Sequence, residues 1–533
     1  MSSMPNLKVK QLNKSVLLDM HGSPMRADFG GMTSGDYSSG SRSYRELGCW
    51  NPLLKSADRS MLGEKDLTEG RARDLIRNNG FAKGALQNSK DRIVGDGYIL
   101  QLRPMYKLLG ISKEEASIWA ANVEQKFKAW ANDPDCWVDA SRKRTFTQIL
   151  REQVGVDMMH GEIFLSREWK ESGSGFNTCF QSIEPERIKT PPTVREDANV
   201  RGGIKHDNYG EAEGYYIRTT HRYDVGMQAV EKYVYTPKKN AQGFTNIIHL
   251  FEPDLPNQSR GFSPFASVIK KLKMLDRLGD TTLEAAIIKA SIALVMTSDA
   301  GGAVFDSLNS PEDINSENHP LSQFDTARSG YNEANPVTFD GAKVHQLFPG
   351  DKLDMTSANI TDTNFAEFES ALLREVARGF GMSYEELSGD YTKTTYASAR
   401  AAMQIAWEYV KGRRAAVTDK LATLMFRAWL DEAIVKGVVS AKDYWKNRSY
   451  WTNCTWIGAG RLILDDVKAQ TAYKLAFENN TMTLAQASAE QGFDLEENIE
   501  QIAYEKALLE SHGLASAQMN TQVIIQDGQQ TNE

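Results

Sequence analysis

The sequence is short of several features that would identify a class of protein at once. Its 533 residues include only four cysteines, Cys49, Cys136, Cys179 and Cys454, and none of them has the CxxC spacing of a zinc site. The purely apolar stretches, such as residues 292–296, are far shorter than the ~20 residues that cross a bilayer. No apolar run follows the early lysines, so no secretory signal is predicted. These absences favour reduced cysteines in a protein that stays in the cytoplasm where it is made.

Motifs for catalysis are also missing. The phosphate-binding GxxxxGK[ST] motif, the GxSxG nucleophile motif and the HExxH zinc motif do not occur. His160 and Glu162 could suggest a metal or acid–base site, but one histidine beside one glutamate at the start of a predicted strand is more typical of ordinary structure. Asp465 and Asp466 could bind magnesium, yet at the start of a predicted helix they are explained by the helix dipole. We therefore predict that the chain is not an enzyme and holds no metal or cofactor.

The charge is divided unevenly along the chain. From Asp465 to Glu533 there are three lysines and twelve acidic residues, a net charge of −9, so the preceding part carries +1 of the total of −8. Basic patches occur at residues 142–144 and 413–414, and surface solvation explains each of them without a ligand. A sequence-reading DNA-binding domain would usually be basic overall, so that class is disfavoured.

The hydrophobic pattern of the first half predicts a mixed α+β protein with several lobes. Residues 1–60 show no hydrophobic period, which indicates an arm that is either flexible or draped on a neighbour. Helical patterns start at residue 61, and five short β-rich runs follow over residues 161–253. A helix of about 30 residues is predicted from Ser263, which can cap it. One face of this helix is apolar (Phe265, Val268, Leu272, Leu275, Leu278) and the other is basic (Lys270, Lys273, Arg277).

The second half alternates between helices and polar connections. Residues 297–360 are rich in turn residues, and Asp340-Gly341 predicts a hairpin. A polar loop with the sequence GDYTKTT, residues 389–395, precedes a long helical region, then two or three acidic helices and a tail from about residue 512 that is predicted to be disordered. Before that loop, a second helix carries a narrow apolar stripe that needs a partner surface: Phe365, Phe368, Leu372, Val376 and Phe380.

The order of these elements resembles the lambda family of phage portal proteins, the head–tail connectors. The resemblance runs from about Tyr44 to Gly513. It is specific in stretches such as HLFEPDLPNQSRGFSPFASVIKKLKMLD (249–276), FPGDKLDMTSANITDTNFAEFESALLREVARGFGMSYEELSGDYTKTTYASARAA (348–402) and WTNCTWIGAGRL (451–462). None of these stretches is catalytic, so the strength of the resemblance lies in their order and in the length of chain that they cover.

The resemblance implies a portal fold assembled as a ring, usually of twelve copies, at one capsid vertex. The implied parts are an arm (1–60), a wing (61–260 and 396–450), two stem helices (261–296 and 361–382), a clip (297–360), a tunnel loop (383–395), a crown (451–511) and a tail (512–533).

The resemblance also implies a function and partners. Double-stranded DNA would be packaged and ejected through the ring without sequence specificity, and no membrane would be involved. The clip would bind the terminase large subunit and later the head-completion (adaptor) protein, while the ring would contact the major capsid protein. The chain would reside in the virion, and in the host cytoplasm during assembly.

Three groups of residues receive roles from the resemblance. In the tunnel loop, Lys393 would offer DNA one point charge per subunit, and the hydroxyl groups beside it would offer weak hydrogen bonds. The basic side chains of the first stem helix would line the channel, and the apolar stripe of the second would pack in the stem. The residues are Thr392, Lys393, Thr394 and Thr395 for the loop; Lys270, Lys273 and Arg277 for the lumen; Phe365, Phe368, Leu372 and Val376 for the packing.

Other classes of protein remain as alternatives. A capsid or scaffold protein without a DNA channel would form shells or sheets instead of closed rings. A terminase-like DNA-processing enzyme would need a phosphate-binding loop or a carboxylate cluster, and the sequence shows neither. Without the resemblance, the GDYTKTT loop would be interpreted as an ordinary connection between helices.

Overall fold

The computed structural model describes residues 49–221, 231–291, 295–298, 320–334, 351–354, 365–463 and 465–512. The chain divides into two compact units, residues 1–55 and 56–533, and the described part of the first, residues 49–55, contains neither helix nor strand. Most of the predicted arm, the predicted hairpin at Asp340-Gly341 and the tail from residue 513 lie outside the described residues. Among the described helices, none is both long and apolar enough to cross a membrane.

The larger unit begins with helices whose ends follow from local capping. Ser112 and Thr145 form capping boxes that start the fifth and sixth helices. Asn79 separates two helices within the region of helical pattern, because its backbone is extended and its side chain accepts the N–H of Ala82 at 2.8 Å. The helices are α1 (Ala57–Met61), α2 (Lys65–Asn78), α3 (Gly80–Ile93), α4 (Tyr106–Leu109), α5 (Lys113–Ala131) and α6 (Phe146–His160).

The strands of this unit are antiparallel throughout. A three-stranded sheet has the order β3-β2-β8, a four-stranded sheet has the order β4-β5-β6-β7, and β1 pairs with β11 near the end of the chain. The first eight strands are β1 (Ile99–Leu102), β2 (Glu162–Trp169), β3 (Thr178–Ile183), β4 (Val200–Arg201), β5 (Ile204–His206), β6 (Ala212–Arg218), β7 (Tyr233–Pro237) and β8 (Ile247–Phe251). All five predicted β-rich runs form strands, and the α+β class is confirmed.

The second half is mainly helical, as predicted. Ser263 caps a 3₁₀ turn, Pro264–Ser267, so the α-helix starts later than predicted. The turn-rich segment contains a helix, α8, that its composition did not indicate. The elements are α7 (Ile269–Ser291), β9 (Val295–Ser298), α8 (Pro320–Ala334), β10 (Asp351–Asp354), α9 (Phe365–Gly379), α10 (Tyr384–Ser388), α11 (Tyr396–Arg413), a π turn (Arg414–Thr418), α12 (Asp419–Val435), α13 (Arg448–Trp451), β11 (Cys454–Ile457), α14 (Asp466–Glu478), α15 (Leu484–Glu490) and α16 (Leu495–Ser511). Asp465 and Asp466 lie at a helix start, as predicted, and Asp465 also caps α14 by accepting the N–H of Lys468 at 3.1 Å.

Two larger hydrophobic clusters hold these elements together. The first is rich in aromatic rings from α5, α6, α12 and β11, among them Phe127, Phe146, Trp429 and Trp456. The second joins α2 and α3 to α7 and α9. None of the four cysteines is paired with another.

A buried ionic cluster joins the second sheet strand to the chain just before α7. Glu162 at the start of β2 is fully buried, and Arg260 is only 2% exposed. The Nε of Arg260 donates to Glu162 Oε2 at 2.9 Å and its Nη2 donates to Oε1 at 2.5 Å. The remaining guanidinium N–H groups donate to the carbonyl oxygens of Pro185, Ile188 and Gly202.

A third residue, Lys65 of α2, completes this cluster, which we call the buried clamp (Lys65, Glu162, Arg260). Its Nζ lies 3.1 Å from Glu162 Oε1 and donates to the carbonyl oxygen of Gly261 at 2.6 Å. At Gly161 the backbone of residue 262 passes so close that a Cβ would collide with it. The clamp therefore fixes where the chain leaves the sheet and enters α7.

The clamp controls the ionisation of its own residues. Burial alone would raise the pKa of Glu162, but Arg260 and Lys65 hold it well below the usual value. Burial lowers the pKa of His249, whose Nε2 lies 3.2 Å from Glu162 Oε2. The folded protein thus favours a charged Glu162 and a neutral His249.

We predict that Glu162→Gln lowers the free energy of unfolding by about 3–5 kcal/mol at pH 7, because Arg260 remains buried without its carboxylate and Lys65 keeps only Glu69. The folded pKa of Glu162 is depressed, so its contribution is present above the ordinary carboxyl pKa of 4.5 and is lost as the pH falls through the folded value. The difference between the variant and the wild type should therefore shrink at acidic pH.

Urea unfolding at pH 7 and pH 4 measures both effects. Glu171→Gln, at an exposed site, is the matched control and should unfold like the wild type. A Glu162→Gln variant as stable as the wild type at pH 7 would contradict the importance of the clamp.

Candidate functional site

The predicted tunnel loop is a short connection between two capped helices. Ser383 forms a capping box with Glu386 at the start of α10, and α10 ends at Gly389, where φ is +71°. Thr395 caps α11 by accepting the N–H of Ser398 at 3.3 Å. The open connection is therefore limited to residues 389–395, and residues 383–388 are mostly helical.

The threonine hydroxyl groups of this loop are engaged within the chain. Thr392 Oγ1 donates to Asp390 Oδ1 at 2.6 Å, and Thr394 Oγ1 donates to Glu385 Oε1 at 3.1 Å. Together with the cap at Thr395, these bonds give each hydroxyl a role in the shape of the loop. The hydroxyl groups thus shape the loop, and their contact with DNA stays a prediction.

The loop carries two charges of opposite sign. The side chain of Lys393 is exposed. Hydrogen bonds from Thr392 lower the pKa of Asp390, and the charge of Lys393 adds a smaller effect in the same direction. Lys393 is therefore not the only charge in the loop, because Asp390 lies three positions earlier. The pair makes this loop close to neutral.

The predicted lumen residues lie on the exposed side of α7. Lys270, Lys273 and Arg277 are all exposed, and Lys273 Nζ is 3.8 Å from Asp276 Oδ2. Lys271 instead bridges to α9, with its Nζ 3.1 Å from Glu375 Oε2. The orientation of the three residues toward a channel stays a prediction.

The apolar stripe of α9 is divided between the interior and the surface. Leu372 is 7% exposed and Val376 is fully buried, and both belong to the cluster with Phe265 of the preceding turn. Phe365 is half-buried, whereas Phe368 is 53% exposed. The C-terminal part of the stripe is therefore buried within the chain itself. The sequence pattern predicted only that the stripe needs a partner surface, which a neighbouring subunit could also have supplied.

Among the residues that the structure describes, two groups of carboxylates and histidines lie close enough to suggest a metal site. The groups are Glu69–His160–Glu186 and Glu184–Glu186–His221, each with ligand atoms within 4.8 Å of one another. However, Lys65 Nζ is 2.7 Å from Glu69 Oε1, and Arg73 pairs with Glu186. A divalent ion would add positive charge where these side chains already neutralise the carboxylates. We therefore assign no metal here, and interpret His160 as part of an ion-pair network.

Sequence reasoning missed the buried clamp altogether. Its members are separated by about a hundred residues each, and no spacing rule connects them. One sequence feature could have pointed to the clamp: an arginine in the polar stretch NQSRG, immediately before a helix cap. Without a structure, this feature is only weak evidence for a buried ion pair.

Comparison with known proteins identifies the family. The model of the phage portal proteins of the lambda family matches residues 43–414. Portal protein B of Escherichia phage lambda is 36% identical over 478 residues, which are 88% of this chain and 89% of that protein. The portal protein of Escherichia phage N15 is 35% identical over 460 residues, which are 85% of this chain and 86% of that protein.

A more distant likeness exists among solved structures. A chain from the neck of an empty GTA particle with C6 symmetry has a TM-score of 0.47 and 13% sequence identity, and the match covers 84% of this chain and 97% of that chain.

This chain belongs to the lambda family of phage portal proteins. The resemblance seen in the sequence is thereby confirmed. The chain is a structural protein of a phage particle and not an enzyme.

Two substitutions on α9 test how its stripe is divided. Leu372→Asp should lower the free energy of unfolding of the dilute, unassembled chain by at least about 3 kcal/mol, because it places a charge in a buried apolar cluster. Phe368→Asp, one turn away and half exposed to solvent, should leave thermal unfolding close to that of the wild type. Thermal unfolding followed by circular dichroism measures the stability of both variants. Equal losses of stability would contradict the conclusion that Leu372 is buried and Phe368 is exposed.

Proposed function

We propose that this chain forms a closed ring, usually of twelve copies, at one vertex of the capsid, and that double-stranded DNA is packaged and ejected through the central channel. The observation that carries this proposal is the nearly end-to-end likeness to Portal protein B, with 36% identity over 88% of the chain. Because the likeness is not confined to one lobe, the whole architecture supports the same role.

In this proposal the loop of residues 389–395 faces the channel. Lys393 is exposed on a short connection held by caps at both ends, and Asp390 beside it offsets its charge. Each phosphate contact adds affinity by counterion release, so strong contacts in every subunit would hold DNA in place. A weak contact in each subunit would instead let DNA slide. Lys270, Lys273 and Arg277 would add further weak contacts along the channel.

We further propose that residues 297–360 form the clip, which binds the terminase large subunit during packaging and the head-completion (adaptor) protein afterwards. Strands β9 and β10 support this, because the pairing of Ser298 with Asp351 closes the base of the segment. An insertion that leaves and rejoins the chain at one place can vary without disturbing the rest. Assembly with the major capsid protein would take place in the host cytoplasm.

The remaining parts follow the same proposal. Residues 61–260 and 396–450 would form the wing, with α7 and α9 as the stem. We propose that the crown begins after Ile457 instead of at residue 451, because β11 pairs with β1 and Trp456 lies in the first hydrophobic cluster. The helices α14, α15 and α16 would then make up the crown.

Opposite substitutions in the loop test the contact with DNA. Lys393→Ala should leave rings unchanged in negative-stain images and weaken the retention of DNA in filled heads as salt is raised, because one phosphate contact is lost in every subunit. Asp390→Asn should strengthen retention. Lys113→Ala, at an exposed helix start elsewhere, is the matched control.

Two results would count against the proposed contact between this loop and DNA. Failed ring assembly of Lys393→Ala would make the loop structural, and unchanged retention in both loop variants would remove it from the DNA path. Sheets or shells from the wild-type chain would instead favour a capsid or scaffold protein.

The clip is tested on the helix that the structure describes within it. Gln323 and Glu333 of α8 are exposed, so the double variant Gln323→Lys, Glu333→Lys should form normal rings but bind the terminase large subunit at least tenfold more weakly in a pull-down titration. Glu171→Lys serves as the control. Loss of rings in the double variant would show that α8 supports the fold or the assembly.

A further inference from the structure

An apolar groove lies between α11 and α14, with a volume of about 320 Å³. Leu462 in its wall is 60% exposed. The apolar side chains of the groove include Met403, Trp407, Leu462, Ile463, Ala472 and Met482. A groove lined in this way can receive the apolar side chains of an amphipathic helix.

The rim of the groove is positively charged. Four cations and two carboxylates line it. Lys468 Nζ pairs with Asp465 Oδ2 at 2.9 Å and Arg92 pairs with Glu386, so Arg400 and Arg461 carry most of the excess positive charge. Arg400 is exposed beside Tyr396 on α11. The charged lining residues are Arg92, Arg400, Arg461, Lys468, Asp465 and Glu490. An acidic partner with apolar side chains would match both properties.

Helix α16 has the complementary character. None of its 17 residues is buried, and five glutamates accompany a single lysine. Ile499 is 53% exposed and Ile502 is 45% exposed, and these two side chains are three residues apart on one face. The N-terminal end of α16 makes polar contacts with α5 and β1 of its own chain. Lys128 Nζ of α5 donates to Glu497 Oε1 at 2.6 Å, and Gln101 Nε2 of β1 donates to Asp494 Oδ2 at 2.8 Å.

We propose that α16 of one subunit docks into the α11–α14 groove of the neighbouring subunit. The partner is therefore a second copy of this chain, selected by charge complementarity around an apolar centre. Because the helix and the groove are different surfaces, the contact is head-to-tail and repeats until a ring closes. This inference rests on the proposed ring and names a contact that holds it together.

Charge reversal tests the contact from both sides. Arg400→Glu and Glu505→Lys should each raise the subunit concentration for half-maximal ring assembly at least tenfold, measured by analytical ultracentrifugation. The combination of both should recover assembly to within about threefold of the wild type, because opposite charges again face each other. Arg71→Glu, exposed on α2, is the control and should assemble like the wild type.

Disulfide cross-linking tests which chain supplies the helix. In a Cys49→Ser background, one chain carries Gln404→Cys and a second chain carries Ile502→Cys. Mild oxidation of rings assembled from both chains should give covalent dimers on a non-reducing gel, and neither variant alone should do so.

The outcomes separate this inference from the proposed function. Normal rings without cross-links, together with normal assembly of Arg400→Glu, would overturn the docking while leaving the ring intact. Normal assembly with weakened DNA retention in Arg400→Glu would show that the groove binds DNA, which also overturns it. Failure of the wild-type chain to form rings would overturn the proposed function itself.

Discussion

The pairing of Glu162 with Arg260 is the interaction on which the arrangement of the molecule depends. It joins the first residue of β2 to the chain that enters α7, and Lys65 brings α2 to the same point. A buried ion pair is stabilising only when its remaining hydrogen-bonding groups are also satisfied. Here three backbone carbonyl oxygens accept the other guanidinium N–H groups. Sheet and helices are thereby held in one relative position.

Rigidity at this point has consequences for the helices beyond it. α7 packs against α9 through Leu272 and Val376, and the salt bridge from Lys271 to Glu375 adds a polar contact. Farther along the chain, caps on α10 and α11 confine the loop around Lys393 to a few residues. A charge presented on so short a connection has little freedom to move, which suits our proposal that many copies act on DNA at once with a weak contact each.

The structure shows which surfaces carry the unevenly distributed charge. The acidic end of the chain folds into α14, α15 and α16, and one of these helices exposes glutamates together with isoleucines. The groove beside α14 gathers cations that lie far apart in the sequence. If one surface fits the other in a neighbouring copy, the negative charge of the C-terminal region has a role in assembly.

Much of the local structure follows from the sequence itself. Ser112, Thr145 and Asp465 mark helix starts, because a cap depends only on residues two or three positions away. The family, too, is evident from the order of sequence stretches.

Long-range features depended on the tertiary structure, since a periodic pattern shows which face is apolar but not what covers it. Only the fold decided that Leu372 is buried within its own chain while Phe368 is exposed. Only the fold brought Glu162 to Arg260, because burial of a charge depends on partners that arrive from distant parts of the chain.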